Sequence, residues 1–155
     1  MTIDRQTLLF FDASCLIAAA GSPNGGSGFL LSLCALGLLR AAVSQLVLLE
    51  AERHVFADLG PRALENYDTI VTRIPKQILP VPSQAELDAY RQVVTQKDQH
   101  VIASALAANA PFLITLDKPF TTQVNDAGLS VTALSPGDFI KTFLPQHSDY
   151  PQLRR

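Results

Sequence analysis

Leu8-Leu9-Phe10-Phe11-Asp12 is a short apolar run closed by a carboxylate. With two Phe and no polar alternation, it reads as a strand buried on both faces. Phe112-Leu113-Ile114-Thr115-Leu116-Asp117 repeats the pattern, and Leu46-Val47-Leu48-Leu49-Glu50 ends the same way. Asp98 opens a further apolar segment, 101–108. An ionised carboxylate near a core loses hydration worth several kcal/mol, ~5 or more, unless something positive compensates. No Lys or Arg adjoins Asp12. Four acids drawn towards one core with few cations nearby point to a bound metal ion.

Outward from these runs, strands alternate with helices. The stretch 14–20 reads as a loop or helical turn, 21–28 as a Gly/Ser/Pro loop, and 29–39 as a helix buried on most faces. A short strand at 41–43 leads to Ser44, an N-cap for a helix over 45–59 that Gly60 and Pro61 end. A second helix follows over 61–74, then a strand at 78–81. Ser83-Gln84-Ala85-Glu86 is a capping box, which starts a helix carrying Leu87, Tyr90, Val93 and Val94. Asp98 is placed to cap a helix over 99–109, and 112–116 is the second main strand. A weaker strand at 129–133 and a helix from Ser135 through Leu144 complete the order. Continuous apolar strands alternating with helices imply a parallel sheet covered on both faces. The reading is one domain over 1–145 and a polar, frayed tail over 146–155.

Composition agrees with one globular domain. The chain has 155 residues, 48% of them apolar and 17% charged, which excludes disorder. A net charge of −2 gives no basic footprint for nucleic acid. Bound cations would invert the local charge around the acids. Cys15 and Cys34 lie in apolar surroundings without CxxC spacing, and read as buried free thiols of a reducing compartment. No charge falls between Asp12 and Arg40, but the Gly/Ser/Pro loop splits that stretch into pieces too short to span a membrane. The first residues lack the layout of a signal peptide, so the expected location is the cytoplasm.

In open α/β sheets the ligand crevice lies beyond the carboxyl ends of the strands. Asp12 and Asp117 belong there from strand position alone. Glu50 has to point inward from a helix body. Asp98 begins the helix that feeds the Phe112 strand, which on this reading puts it at the sheet's other end. If all four meet, oxygen ligands without His or Cys suit Mg²⁺ or Mn²⁺. Such an ion lowers the pKa of a bound water, orients in-line attack and offsets charge on a phosphorane.

Phe10-Phe11-Asp12-Ala13-Ser14, Val47 through Glu52, Lys97-Asp98-Gln99-His100 through Leu106, and Leu113 through Phe120 resemble, in that order, the motifs of the PIN domain family. These are metal-dependent ribonucleases that include the VapC toxins, and the likeness spans 8–144. It implies a three-layer α/β/α sandwich with a mostly parallel sheet, in which the helix bearing the third acid reaches the site. Asp12, Glu50, Asp98 and Asp117 map onto the acids that hold Mg²⁺ or Mn²⁺, and Ser14 and Thr115 onto supporting hydroxyls. The implied activity is hydrolysis of RNA to 3′-hydroxyl and 5′-phosphate ends. The implied partners are an RNA substrate, a cognate antitoxin encoded alongside and a second copy of the chain. Two departures stand out. Leu116 occupies a position that is often Gly, and Lys118-Pro119 stand where a further acid often follows. The second departure removes a potential ligand for a second metal.

Each residue also has a plainer reading. Asp12 and Asp117 can cap turns after strands, Asp98 can be an N-cap, and Glu50 a surface residue near Arg53 or His54. His100 is either a partly buried helix residue or a supporting, phosphate-facing one. Ser14 and Thr115 can satisfy backbone groups. The stretch 29–39 is core, or a surface for a dimer or antitoxin. Lys97, Lys118, Arg40 and Arg53 are candidate phosphate contacts by position. Beside the ribonuclease stands a non-cleaving PIN-like module that binds RNA or protein. A dehalogenase-like phosphatase or a phospho-receiver also uses an Asp after the first strand. The former wants a second Asp at Ser14, and the latter an acidic pair, and the chain has neither.

Overall fold

A computed structural model describes residues 2–153. Five parallel strands form one sheet: β1 (Leu8–Phe11), β2 (Arg40–Ser44), β3 (Lys76–Leu79), β4 (Phe112–Ile114) and β5 (Thr132–Leu134), in the order β3-β2-β1-β4-β5. The chain steps outward from β1 to β3, then crosses back to β4 beside β1. The order therefore reverses between β1 and β4. Right-handed crossovers put α1 (Ala13–Gly21), α2 (Gly26–Ala35), α3 (Gln45–His54) and α4 (Pro61–Arg73) on one face. They put α5 (Gln84–Asp88), α6 (Gln99–Ala107) and α7 (Lys118–Asp126) on the other, with α8 (Pro136–Thr142) against α2. The result is the three-layer α/β/α sandwich that the sequence implies.

β1 and β4 are buried along their whole length, as continuous apolar strands in a covered sheet must be. β3 and β5 form the edges, and β3 exposes Gln77 and Ile78. It lies two residues earlier than the sequence reading, because Pro80 has no N–H to continue the ladder. The Lys76 ammonium turns back to donate to the carbonyls of Val71 and Ile74 at the end of α4. The capping box at Ser83 is present, but it starts only the short α5 before the chain breaks into turns.

Several other boundaries move. Of the loop or helical turn read over 14–20, the structure has the helical form, extended to 13–21, and 26–35 replace 29–39. The helix read over 45–59 relaxes into a π-helical turn at Val55–Leu59. α7 has no counterpart in the sequence reading, although Asp117 followed by Pro119 is a helix start: the carboxylate accepts from Phe120 N at 3.0 Å. The tail expected to fray from 146 is packed up to 153. His147 is buried, its Nε2–H donates to Leu38 O at 2.7 Å, and its Nδ1 accepts from Asp149 N at 2.9 Å. Ser148 N donates to Ile3 O at 2.9 Å, Arg5 pairs with Asp149 and Leu153 is buried. One buried imidazole with both nitrogens bonded outweighs a polar composition. The last two residues, Arg154 and Arg155, lie outside the described part.

Gly28 in α2 tests how tightly the first face is packed. A Cβ there would lie 2.0 Å from the Pro23 carbonyl oxygen and 2.6 Å from its carbon. Gly→Ala inside a helix is normally worth about 1 kcal/mol of stability. Forcing atoms into backbone costs about 1–3 kcal/mol, and more where the backbone cannot yield. The clash wins at this spacing. Gly28→Ala is expected to lower the midpoint of urea unfolding, and a raised midpoint would contradict this packing.

Candidate metal and catalytic site

The reversal between β1 and β4 opens a crevice at their carboxyl ends, and two of the four acids stand on it. Asp12 follows β1 directly, and its own N–H donates to Ile114 O at 3.2 Å, across to β4. Asp12 is 8% exposed. Ser14 Oγ–H donates to Oδ1, Thr115 Oγ1–H donates to Oδ2, and Cys15 N reaches Oδ1 at 3.4 Å. Both hydroxyls are themselves held. Leu116 N donates to Ser14 Oγ at 3.0 Å, and Asp117 N donates to Thr115 Oγ1 at 3.1 Å. Each hydroxyl orients Asp12; Ser14 is itself fixed from across the crevice by Leu116 N, and Thr115 by the amide of Asp117, two residues on in its own segment.

Among the described residues Asp12 has no ion-pair partner. Burial pushes its carboxyl above the usual value, against the hydrogen bonds from Ser14, Thr115 and Cys15 that pull it down. Neutral donors do not replace lost hydration fully. Among the described residues Asp12 is a buried carboxylate without a cation. Asp117, half-buried, caps α7 through Oδ1. The plainer reading of both residues is therefore realised, since each caps a helix. Capping alone gives no reason to bury Asp12.

Glu50 and Asp98 form a second group. The sequence reading put the start of α6 at the far end of the sheet, and that is corrected. A crossover helix runs antiparallel to the strand it feeds, so α6 begins at the carboxyl edge. His100 accordingly sits in the field of both Glu50 and Asp98, which raise its pKa, while burial, the larger influence, lowers it. Its Nδ1 is buried without a hydrogen-bond partner. Asp98 is not the side-chain cap expected. A 3₁₀ turn at Gln96–Asp98 leads into α6, leaving Asp98 at φ −102°, ψ −7°, and its carboxylate bonds no helix N–H. Capping needs an extended residue at that point. Its Oδ2 instead accepts from Thr95 Oγ1 at 3.3 Å, a contact signalled only by the spacing of Thr95 and Asp98. Glu50 is exposed.

The structure thus joins Asp12, Ser14, Thr115 and Asp117 in one network, and sets Glu50, Asp98 and His100 near one another. Among the described residues no hydrogen bond or ion pair links the two groups, and no three His, Cys, Asp or Glu side chains are gathered as a metal-holding cluster. The donor chemistry fits a hard divalent cation, and the uncompensated Asp12 carboxylate is where it fits best. The reading of the sequence missed Leu116 as part of the site, since an apolar side chain gave no sign that its amide would hold Ser14.

A model of the PIN domain family matches residues 9–119. No curated protein matches at a significant level. Among solved structures, the chain resembles VapBC2 from Rickettsia felis, bound to a DNA fragment from their promoter, with TM-score 0.63 and 16% identity over 83% of this chain and 98% of that one. It resembles PAE2754 from Pyrobaculum aerophilum with TM-score 0.55 and 19% identity over 82% and 83% of the two chains. VapC20 from Mycobacterium tuberculosis, a sarcin–ricin loop cleaving toxin, superposes with TM-score 0.56 and 19% identity over 80% and 98%. At these identities the structures share a fold with this chain. The family match runs from β1 through the Asp117 turn, and on it the chain belongs to the PIN domain family.

Proposed function

We propose that the protein is an endoribonuclease dependent on Mg²⁺ or Mn²⁺, acting as the toxin of a toxin–antitoxin pair. The observation that carries this reading is Asp12, a buried carboxylate held by two hydroxyls and an amide, with no cation paired to it among the described residues. Asp12 and Asp117, with Glu50 and Asp98, would hold the ion. When bound, it supplies positive charge against the phosphodiester oxygens and lowers the pKa of the attacking water. The chain's own part is orientation. Ser14 and Thr115 fix both oxygens of Asp12, and the Leu116 and Asp117 amides fix those hydroxyls. His100, in the field of Glu50 and Asp98, would serve as a supporting residue.

The partners proposed are RNA as substrate, a cognate antitoxin, and a second copy of the chain in a homodimer, all in the cytoplasm. Support for the toxin role is the shared fold with VapBC2 and with VapC20, a sarcin–ricin loop cleaving toxin. Among the described residues no helix is long and apolar enough to cross a membrane.

One observation favours a second reading, a PIN-like module that binds RNA or protein without cutting: the acids are not gathered into one ligand group. A single assay separates the two. Single-stranded RNA incubated with the protein and Mn²⁺ is expected to yield fragments with 3′-hydroxyl and 5′-phosphate ends, and EDTA is expected to stop it. A metal-loaded protein that retards RNA in a gel and never cuts it supports the binding module. Undiminished cleavage in EDTA overturns metal dependence.

A further inference from the structure

Leu116 is 47% exposed, yet its backbone belongs to the site. Its N–H donates to Ser14 Oγ at 3.0 Å, and Ser14 donates to Asp12. The residue before it, Thr115, is 1% exposed and also donates to Asp12. The amide of the residue after it returns to Thr115 Oγ1 at 3.1 Å. A single exposed Leu normally needs no explanation. This one differs from the other large exposed apolar side chains among the described residues, such as Leu36, Phe56 and Val81: it alone is tied by its amide to the Asp12 network. An apolar side chain is therefore held at the rim of a carboxylate site, on backbone fixed at both sides.

We propose that Leu116 is a specificity residue that packs against the nucleobase adjoining the scissile phosphate. The inference rests on the ribonuclease reading above. A nucleotide bound there presents two chemistries. Its phosphate is the concern of the acids and their cation. Its base offers a flat apolar face, and Leu116 supplies the matching surface beside Asp12 and Asp117. The contact is not a hydrogen-bond readout, so it grades bases by the area they cover. A purine covers more than a pyrimidine, which sets the preference towards purine at that position.

The test compares wild type, Leu116→Ala and Leu116→Phe in two assays. Cleavage of a randomised single-stranded RNA in Mn²⁺ gives KM, kcat and the base preference. Fluorescence anisotropy with a labelled RNA oligonucleotide in Ca²⁺ gives affinity without relying on turnover. Leu116→Ala is expected to raise KM and Kd about fivefold, the worth of part of one apolar side chain, and to flatten the purine preference. Leu116→Phe is expected to restore or tighten both. A fall in kcat with KM and base preference unchanged overturns the proposal, because it shows Leu116 acting only through Asp12. Unchanged Kd in Leu116→Ala also overturns it, whether or not the protein cuts. Wild-type protein that binds RNA with the Leu116 dependence but never cleaves would sink the ribonuclease reading and leave the contact standing.

Discussion

Asp12→Asn is expected to reduce metal-dependent RNA cleavage by about a thousandfold or more, while leaving the metal-free protein at least as stable as wild type at pH 7. The loss follows from removing the anionic donor at the centre of the hydroxyl network. The retained stability follows from the cost of that same anion. Asn keeps one acceptor for Ser14 Oγ–H, and its NH₂ can donate to Thr115 Oγ1, whose hydroxyl has a second lone pair. It carries no charge to desolvate. The pH dependence has a definite sign. Burial raises the folded carboxyl above its ordinary value of 3.8, so the folded state binds the proton more tightly than the unfolded state. Stability from this group is fully present below 3.8 and is lost as pH rises through the raised folded value. In EDTA, urea unfolding of wild type minus Asp12→Asn should fall across that window and level off above it. A divalent cation should reverse the difference by binding the folded wild type. A wild type more stable than Asp12→Asn at pH 7 in EDTA would contradict the claim that the anion is uncompensated.

Phe112→Ala is expected to remove about 3–5 kcal/mol of stability, the usual loss for a large aromatic truncated in a core. Phe112 begins β4, is 2% exposed, and meets Phe139 edge-on at 5.1 Å and Phe143 at 4.8 Å. β4 pairs with both β1 and β5, so the cavity opens where the two strands bearing the site are joined to the last strand and α8. Against a typical total of about 5–15 kcal/mol, the variant sits near the edge of folding. Phe112→Leu, which keeps most of the volume, should cost far less. Equal losses in the two variants by urea unfolding would show that volume is not what this position supplies.

The legible parts of the fold are those where one local signal had no rival. The continuous apolar runs before Asp12 and before Thr115 are β1 and β4, the strands that flank the reversal in order. Ser44, Ser83, Pro61 and Ser135 mark helix starts correctly, because capping chemistry is local. α7 has no periodic apolar signal strong enough to extend the turn that Asp117 caps into a helix, although Asp117 is a helix cap in the structure. The tail was misread because a single His147, buried by partners in Leu38 and Asp149, carries no periodic signal. The position of Asp98 was misjudged by reasoning about the direction of a crossover helix, not by any weakness in the residue's own signal. At the site, Asp12 and Asp117 were recoverable from strand ends. That Ser14 and Thr115 hold Asp12 from opposite sides depends on the pairing of β1 with β4, which one sequence does not display.

The central claim is that Asp12, buried without a cation among the described residues, is where a divalent ion binds. Crystals soaked in Mn²⁺, with data collected at the manganese absorption edge, test it directly. The account predicts an anomalous peak within bonding distance of an Asp12 oxygen and bounded by Asp117, absent from Asp12→Asn crystals soaked alike. A peak only at sites remote from Asp12, or the same peak in the Asn variant, would contradict it.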